Sequence, residues 1–336
     1  MLDPALAAVR LAVRTSLADV PDGSVVLVAL SGGADSLALA AAAAHEARTR
    51  GIRIGSVTID HGLQDGSDAV ALAAAKQAAA LGIDPIVVRV DVGKDVSAAG
   101  GLEAAARSAR YRALRDAASD ARAAAVLLGH TLDDQAETVL LGLARGAGAT
   151  SLAGMPPARL DENGLRWLRP LLGLRRRTTR DACTAQCLAP WDDPHNVDDR
   201  FSRVRVRERI LPVLEAELGP GIAEALARTA EQLREDSEAF AEMIDETIED
   251  IVEHSEAGIA VSAAALAANP PALRNRIIRH VVQSEFGVAL TRVQTLEVAR
   301  LAIDWAGQGP IDLPSCSAAR RGGLIHFTAR DQQRAT

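Results

Sequence analysis

The sequence predicts an α/β protein: a doubly wound parallel sheet with a second, mainly helical C-terminal domain. Three observations carry this. Residues 25–30 are an apolar run rich in β-branched side chains, as in a strand buried on both faces, and the chain passes at once through Ser31-Gly32-Gly33 into an Ala/Leu helical pattern over 37–47. Strand-like and helix-like segments then alternate to residue 145, which implies parallel strands joined by helical crossovers. After Gly154-Met155-Pro156-Pro157 the alternation stops and helical patterns dominate.

In chain order, residues 3–17 read as a surface helix. A second strand over 52–59 ends in Asp60-His61-Gly62-Leu63, and a helix over 68–81 stops at Gly82. A third strand (85–90), a Gly- and Asp-containing loop (91–100) and a helix (101–119) lead to a fourth strand over 124–128. That strand ends in Gly129-His130, and residues 133–145 are again helical. An extended piece at 165–168 precedes an arginine-rich helix over 174–188, a polar loop over 191–200 and arginines at every second residue over 203–209. Pro212 and Gly219-Pro220-Gly221 are the best junction candidates, giving domains 1–212 and 213–336. A long acidic amphipathic helix (222–251), a helix pair (271–285 and 290–306) and a short strand (324–328) complete the second domain.

The chain has 336 residues, 48% hydrophobic but only 2% aromatic, so its core is aliphatic. No run of eighteen apolar residues is present, which argues against a membrane span. No basic stretch followed by an apolar one opens the sequence, so no secretory signal is expected. Three cysteines do not make a disulfide framework, which places the protein in the cytoplasm. Cys183 and Cys187 are expected to be buried thiols, since no other Cys or His joins them. The net charge of −7 argues against a nucleic-acid partner, but its distribution does not. Residues 166–180 carry six arginines and no acid, and the acids concentrate in 231–253.

Two stretches carry chemistry. In the first, adjacent glycines let the backbone turn sharply and bring bare N–H groups to a ligand. With the hydroxyls of Ser31 and Ser36 and the positive end of the following helix, they form a phosphate cradle. The alternative is a plain βα turn with an N-cap serine. The second stretch is Gly129-His130-Thr131-Leu132-Asp133-Asp134-Gln135-Ala136-Glu137-Thr138. Asp134 and Glu137, three apart, share one face of the first helical turn. They either complement the helix dipole or hold a cation, Mg²⁺ or a substrate ammonium, beside the phosphates. Ser31, Asp60 and His130 each follow the carboxyl end of a strand, where ligands of such sheets bind.

Ser-Gly-Gly-x-Asp-Ser resembles the pyrophosphate-binding (PP-loop) motif of the ATP pyrophosphatases. With His-x-x-Asp-Asp-Gln-x-Glu-Thr behind it, the chain resembles the tRNA(Ile)-lysidine synthetases. Asp60-His61-Gly62-Leu63, Glu103 to Tyr111, Arg145-Gly146-Ala147-Gly148, Leu152-Ala153-Gly154-Met155, Arg169-Pro170-Leu171-Leu172 and Asp192-Asp193-Pro194-His195-Asn196 agree in order over residues 24–212. One departure is Arg203-Val204-Arg205, where the family usually has Arg-Asn-Arg.

The resemblance implies a ligase that adenylates C2 of the wobble cytidine in a CAU-anticodon isoleucine tRNA, then lets L-lysine displace AMP. It implies that Ser31, Gly32, Gly33, Ala34, Asp35, Ser36, Arg107 and His130 bind ATP, with Asp35 and His130 catalytic and Asp35 also a Mg²⁺ ligand. Asp134 and Glu137 would bind lysine; Arg110, Arg175, Arg176, Arg177, Arg203, Arg205 and Arg207 would contact the tRNA. From the residues alone, His130 could be a core histidine and these arginines a solvated face. The C-terminal domain is assigned to tRNA by position only, and a homodimer is compatible with the sequence. The rivals are another PP-loop enzyme and a non-catalytic nucleotide-binding module. A tRNA thiolase would bring a Cys-x-x-Cys pair, and an amidotransferase-type synthetase a glutaminase half; neither is found.

Overall fold

In the computed structural model, the described residues are 2–62, 66–91, 102–255 and 258–330. Two compact units are present, Met1–Arg234 and Glu235–Thr336. Leu63 and all but the first residue of the expected loop at 91–100 lie outside the described residues.

The first unit opens with α1 (Pro4–Ser16), whose N-cap Asp3 accepts the N–H groups of Ala5 and Leu6. Then follow β1 (Val25–Ala29), α2 (Ala34–Ala47), β2 (Arg53–Asp60), α3 (Ser67–Ala80), β3 (Asp84–Arg89), α4 (Leu102–Asp120), β4 (Ala125–Leu127) and α5 (Leu132–Ala144). These follow the expected alternation to within a few residues. Strand order in the sheet is β3-β2-β1-β4-β6-β5, with β5 at Ala158–Leu160 and β6 at Arg166–Leu168. All neighbours are parallel except the β5–β6 pair at one edge, so the sheet is mostly rather than wholly parallel.

Alternate side chains of β1 enter opposite cores, as the two-residue strand period requires. Val26 and Val28 pack with Leu37 and Leu39 of α2, and Leu27 packs with Leu114 of α4 and the fully buried Trp167. The chain leaves β1 towards β2 on one side and returns to β4 on the other. The carboxyl ends of β1 and β4 therefore flank the crevice where the strand order reverses.

After α6 (Ala149–Leu152) and the β5–β6 pair, α7 (Arg176–Ala185) packs against α1 and α2. Next come α8 (Ser202–Arg205), a π-helical turn (Val206–Ile210), α9 (Leu211–Leu218) and α10 (Ile222–Ile251). The sequence expects a junction at 212/213, whereas the compact units divide inside α10. The reason is local packing: Val206, Leu211 and Ala223 share a cluster with Leu132 and Ala136 of α5. Arg234 also donates to the carbonyls of Ala153 and Met155 at 3.2 and 3.0 Å.

The second unit holds the expected helices, α12 (Pro271–Phe286) and α13 (Arg292–Ile303), after a short α11 (Ala263–Ala268). Besides the strand expected near 324–328, four more lie among its described residues. Together β7 (Val252–Ser255), β8 (Gly258–Ser262), β9 (Ile311–Leu313), β10 (Cys316–Arg321) and β11 (Leu324–Ala329) form an antiparallel sheet in the order β7-β8-β11-β10-β9. Cys183 is buried as expected, but Cys187 is exposed, because it follows the end of α7 in a left-handed conformation with φ 53°. No described helix is long and apolar enough to cross a membrane.

Candidate active site

A cleft of about 1040 Å³ opens at the crevice between β1 and β4. Its floor is the Ser31–Ser36 turn. Gly32 has φ +85°, and a Cβ there would lie 3.3 Å from the Cβ of Ala74, so a side chain would be both strained and crowded. The two serine hydroxyls lie 3.1 Å apart. Ser36 Oγ donates to the Gly33 carbonyl (2.9 Å) and accepts the Ser31 N–H (3.2 Å). Both hydroxyls therefore brace the turn. What the turn offers a ligand is the N-terminus of α2, where Gly33 supplies no side-chain cap, so first-turn N–H groups and the helix dipole remain for an anion. Gly129, at the end of β4, packs on this helix start: a Cβ there would sit 3.2 Å from the Ser36 nitrogen.

The structure brings together three carboxylates that the sequence divides between nucleotide and lysine, on a single guanidinium. Arg176 lies 3.5 Å from Asp35, 2.7 Å from Asp134 and 3.5 Å from Glu137. Its own backbone N–H is held by Asp133 Oδ2 at 2.7 Å. Arg207 grips Glu137 with Nε on Oε1 at 2.7 Å and a second nitrogen on Oε2 at 3.2 Å. Glu137 is fully buried, so these cations neutralise a charge that could not otherwise stay there. Arg176 and Arg207, assigned to RNA on charge, thus turn inward.

Burial pushes the Asp35 carboxyl above its ordinary range; the Thr179 hydroxyl, which donates to it, and Arg176 oppose this, while the Asp134 charge adds to it. Asp134 moves the other way. Burial would raise it, but Arg176, the backbone N–H of Thr131 at 2.8 Å and the hydroxyl of Thr131 hold it below the usual range. His130 is pushed down to about 4, chiefly by burial, with Arg169, Arg107 and Arg110 adding to the effect against the pull of Asp134. Its imidazole is therefore neutral at pH 7, and its buried Nδ1 has no hydrogen-bond partner among the described residues.

Arg107 and Arg110 line the cleft, with the Arg107 guanidinium stacked 5.1 Å from the Tyr111 ring centroid. Arg175 is engaged by Asp133 and Glu224, each at 3.4 Å. Arg203 reaches the Thr138 hydroxyl at 3.4 Å, and Arg205 the carbonyls of Asp199 and Arg200. Arg177 is exposed at the cleft. Val204, in the place of the usual Asn, is buried. Sequence reasoning passed over Thr179, which anchors Asp35, and Trp191, whose N–H donates to the Gly32 carbonyl at 2.9 Å. It also passed over Ser67, which with the Gly62 N–H fixes the buried Asp60. Thr179 sits in the same string as the arginines, where charge alone drew notice.

A Mg²⁺ ion uses one or two carboxylates, with water and substrate phosphates completing its shell. Asp35 beside the cradle fits that pattern, and no cluster of three His, Cys, Asp or Glu side chains suited to a metal occurs among the described residues.

A glycine turn under a bare helix N-terminus, at the reversal point of a mostly parallel sheet, is the arrangement of a doubly wound phosphate-binding fold. Residues 9–214 match the PP-loop domain family, and residues 262–326 match the TilS substrate binding domain. The fold is shared with the U34-tRNA thiolase NcsA of Methanococcus maripaludis (TM-score 0.59, 19% identity, 69% of this chain and 80% of that one). The tRNA(Ile)-lysidine synthase of Leifsonia xyli subsp. xyli is 58% identical over 307 residues, covering 91% of this chain and 90% of its own. That of Thermobifida fusca is 50% identical over 320 residues, 95% of each. The chain belongs to the tRNA(Ile)-lysidine synthase family.

Proposed function

We propose that this protein ligates free L-lysine to C2 of the wobble cytidine in the CAU anticodon of isoleucine tRNA, using ATP. The cytidine C2 oxygen attacks the α-phosphate and releases pyrophosphate. The lysine amine then forms a bond to C2, and the oxygen leaves with AMP. The observation that carries this reading is the adjacency of the cradle and a buried acidic pair: Asp35 and Glu137 share Arg176, each at 3.5 Å.

Each residue has a role in that reaction. The N–H groups at the start of α2 face the charge that builds up on the phosphates. Asp35 would hold Mg²⁺, which when bound supplies positive charge to the departing pyrophosphate. Neutral His130, with a vacant Nδ1, is able to contact the α-phosphate or accept a proton from the attacking amine. Asp134 and Glu137 would hold a lysine ammonium and reject neutral amino acids, which would leave buried carboxylates without a cation. Arg110, Arg177, Arg203 and Arg205 would meet the RNA backbone, and an anticodon loop presents its base at little unstacking cost. The second unit would bind another part of the tRNA.

The test is incubation with ATP, radiolabelled lysine and a panel of tRNAs, followed by nucleoside analysis. Lysidine formed only on the CAU isoleucine tRNA, with one pyrophosphate per lysine, is the expected outcome. Pyrophosphate release that needs no tRNA would point to another PP-loop reaction.

A further inference from the structure

The acidic pair proposed to hold lysine already holds a cation of the chain's own. Arg176 and Arg207 both reach it, but they are built differently. Arg176 is fixed: its backbone is tied to Asp133, and its guanidinium spans three carboxylates. Arg207 has two carboxylate partners, Glu137 and, at 3.8 Å, Asp134. It stands on the π-helical turn Val206–Ile210, a rare irregularity that recurs at functional sites. Its side chain is 24% exposed and lines the cleft.

The arginines two residues to either side of Arg207 face the surface. Arg205 and Arg209 lie on the opposite side of this segment, on carbonyls of Asp199 and Arg200 and on the carboxylate of Asp199. A phosphate backbone held by that strip and entering the cleft that Arg207 lines would offer Arg207 a partner of the same sign as the one it leaves, with charge-assisted bonds of similar strength. Once Arg207 left, the fully buried Glu137 would keep only Arg176 at 3.5 Å, and both its short bonds would be open to another cation.

We propose that Arg207 is an internal competitor for the lysine ammonium on Glu137, drawn off by the tRNA backbone, so that the lysine pocket opens fully once RNA is in place. This rests on the reading of Asp134 and Glu137 as the lysine site. Lysine binding is then an exchange of cations on a buried carboxylate. Arg207 is a positioning residue, and it ties the affinity for the amino acid to the presence of the nucleic acid.

The experiment measures lysine affinity of the full chain by equilibrium dialysis with radiolabelled lysine. ATP is omitted so that nothing turns over, and a CAU-anticodon isoleucine tRNA transcript is present or absent. Wild type should bind lysine about tenfold more tightly with RNA than without, the worth of one charge-assisted contact. Arg207→Met should bind lysine about tenfold more tightly than wild type without RNA and gain little when RNA is added. Arg207→Lys, which restores a competing cation, should behave as wild type. Wild-type affinity indifferent to RNA overturns the proposal, and this arm stands even if a variant does not fold. Arg207→Met binding lysine no better than wild type without RNA also overturns it. Absence of lysine binding throughout, with RNA still retained, would remove the lysine-site reading itself and the proposal with it.

Discussion

Asp133 Oδ2 accepts the backbone N–H of Arg176 at 2.7 Å. One carboxylate at the start of α5 thus satisfies an orphan donor at the start of α7 and sets where the Arg176 side chain lands. Asp133→Ala should cost about 1 kcal/mol, as loss of a helix cap does, read by thermal unfolding. The KM for lysine should rise more than that for ATP. A stability loss with unchanged kinetics would make Asp133 a cap and nothing else.

Asp35→Ala should reduce ATP-dependent adenylation of tRNA at least about a hundredfold, on the scale of losing a group that faces developing phosphate charge. The fold should survive, because Arg176 keeps Asp134 and Glu137. The check is single-turnover adenylation beside a circular dichroism melt. Near-normal turnover would refute the assignment of Asp35.

Glu137→Gln keeps shape and removes charge. It should raise the KM for lysine at least about tenfold while moving that for ATP little. Equal effects on both would transfer Glu137 from the amino acid to the metal.

Charge reversal separates two adjacent arginines. Arg177→Glu should weaken tRNA binding and lower the salt slope by about one. Arg176→Glu should instead damage the lysine and ATP sites, since its guanidinium is spent on three carboxylates. Filter binding at several salt concentrations distinguishes them.

His130 ties stability to pH. Its native pKa of about 4 lies below the unfolded value of 6.5, so between these limits the unfolded chain binds a proton that the native one refuses. The contribution is complete above pH 6.5 and shrinks as pH falls towards 4, by on the order of 3 kcal/mol in full. Melts from pH 7.5 to 4 should show wild type losing more stability towards the acid end than His130→Gln, which has no such proton to take up. Parallel curves would mean that the imidazole titrates normally.

The crevice and its glycine turn were legible because both are written locally: β1, the Gly32 turn and α2 adjoin in sequence. The orientation of the arginines was not. Arginines at every second residue look like one solvated strip, yet in a helix positions 203 and 207 share a face, and that face meets Thr138 and Glu137 on α5. The second sheet was missed for a different reason. Its hairpin signal, Gly322-Gly323 with φ of 55° and 87°, joins β10 to β11 as a two-residue turn, but β10 ends in two adjacent arginines and lacks an apolar run.

Trp191 gives the molecule an optical reporter. The chain has three tryptophans; Trp167 is sealed in the interior, and Trp305, 40% exposed, belongs to the other unit. Trp191 alone lines the cleft, its amide tied to Gly32. Quenching or a spectral shift on adding nucleotide would therefore come from a known place, and occupancy of the cradle could be followed in real time without a label.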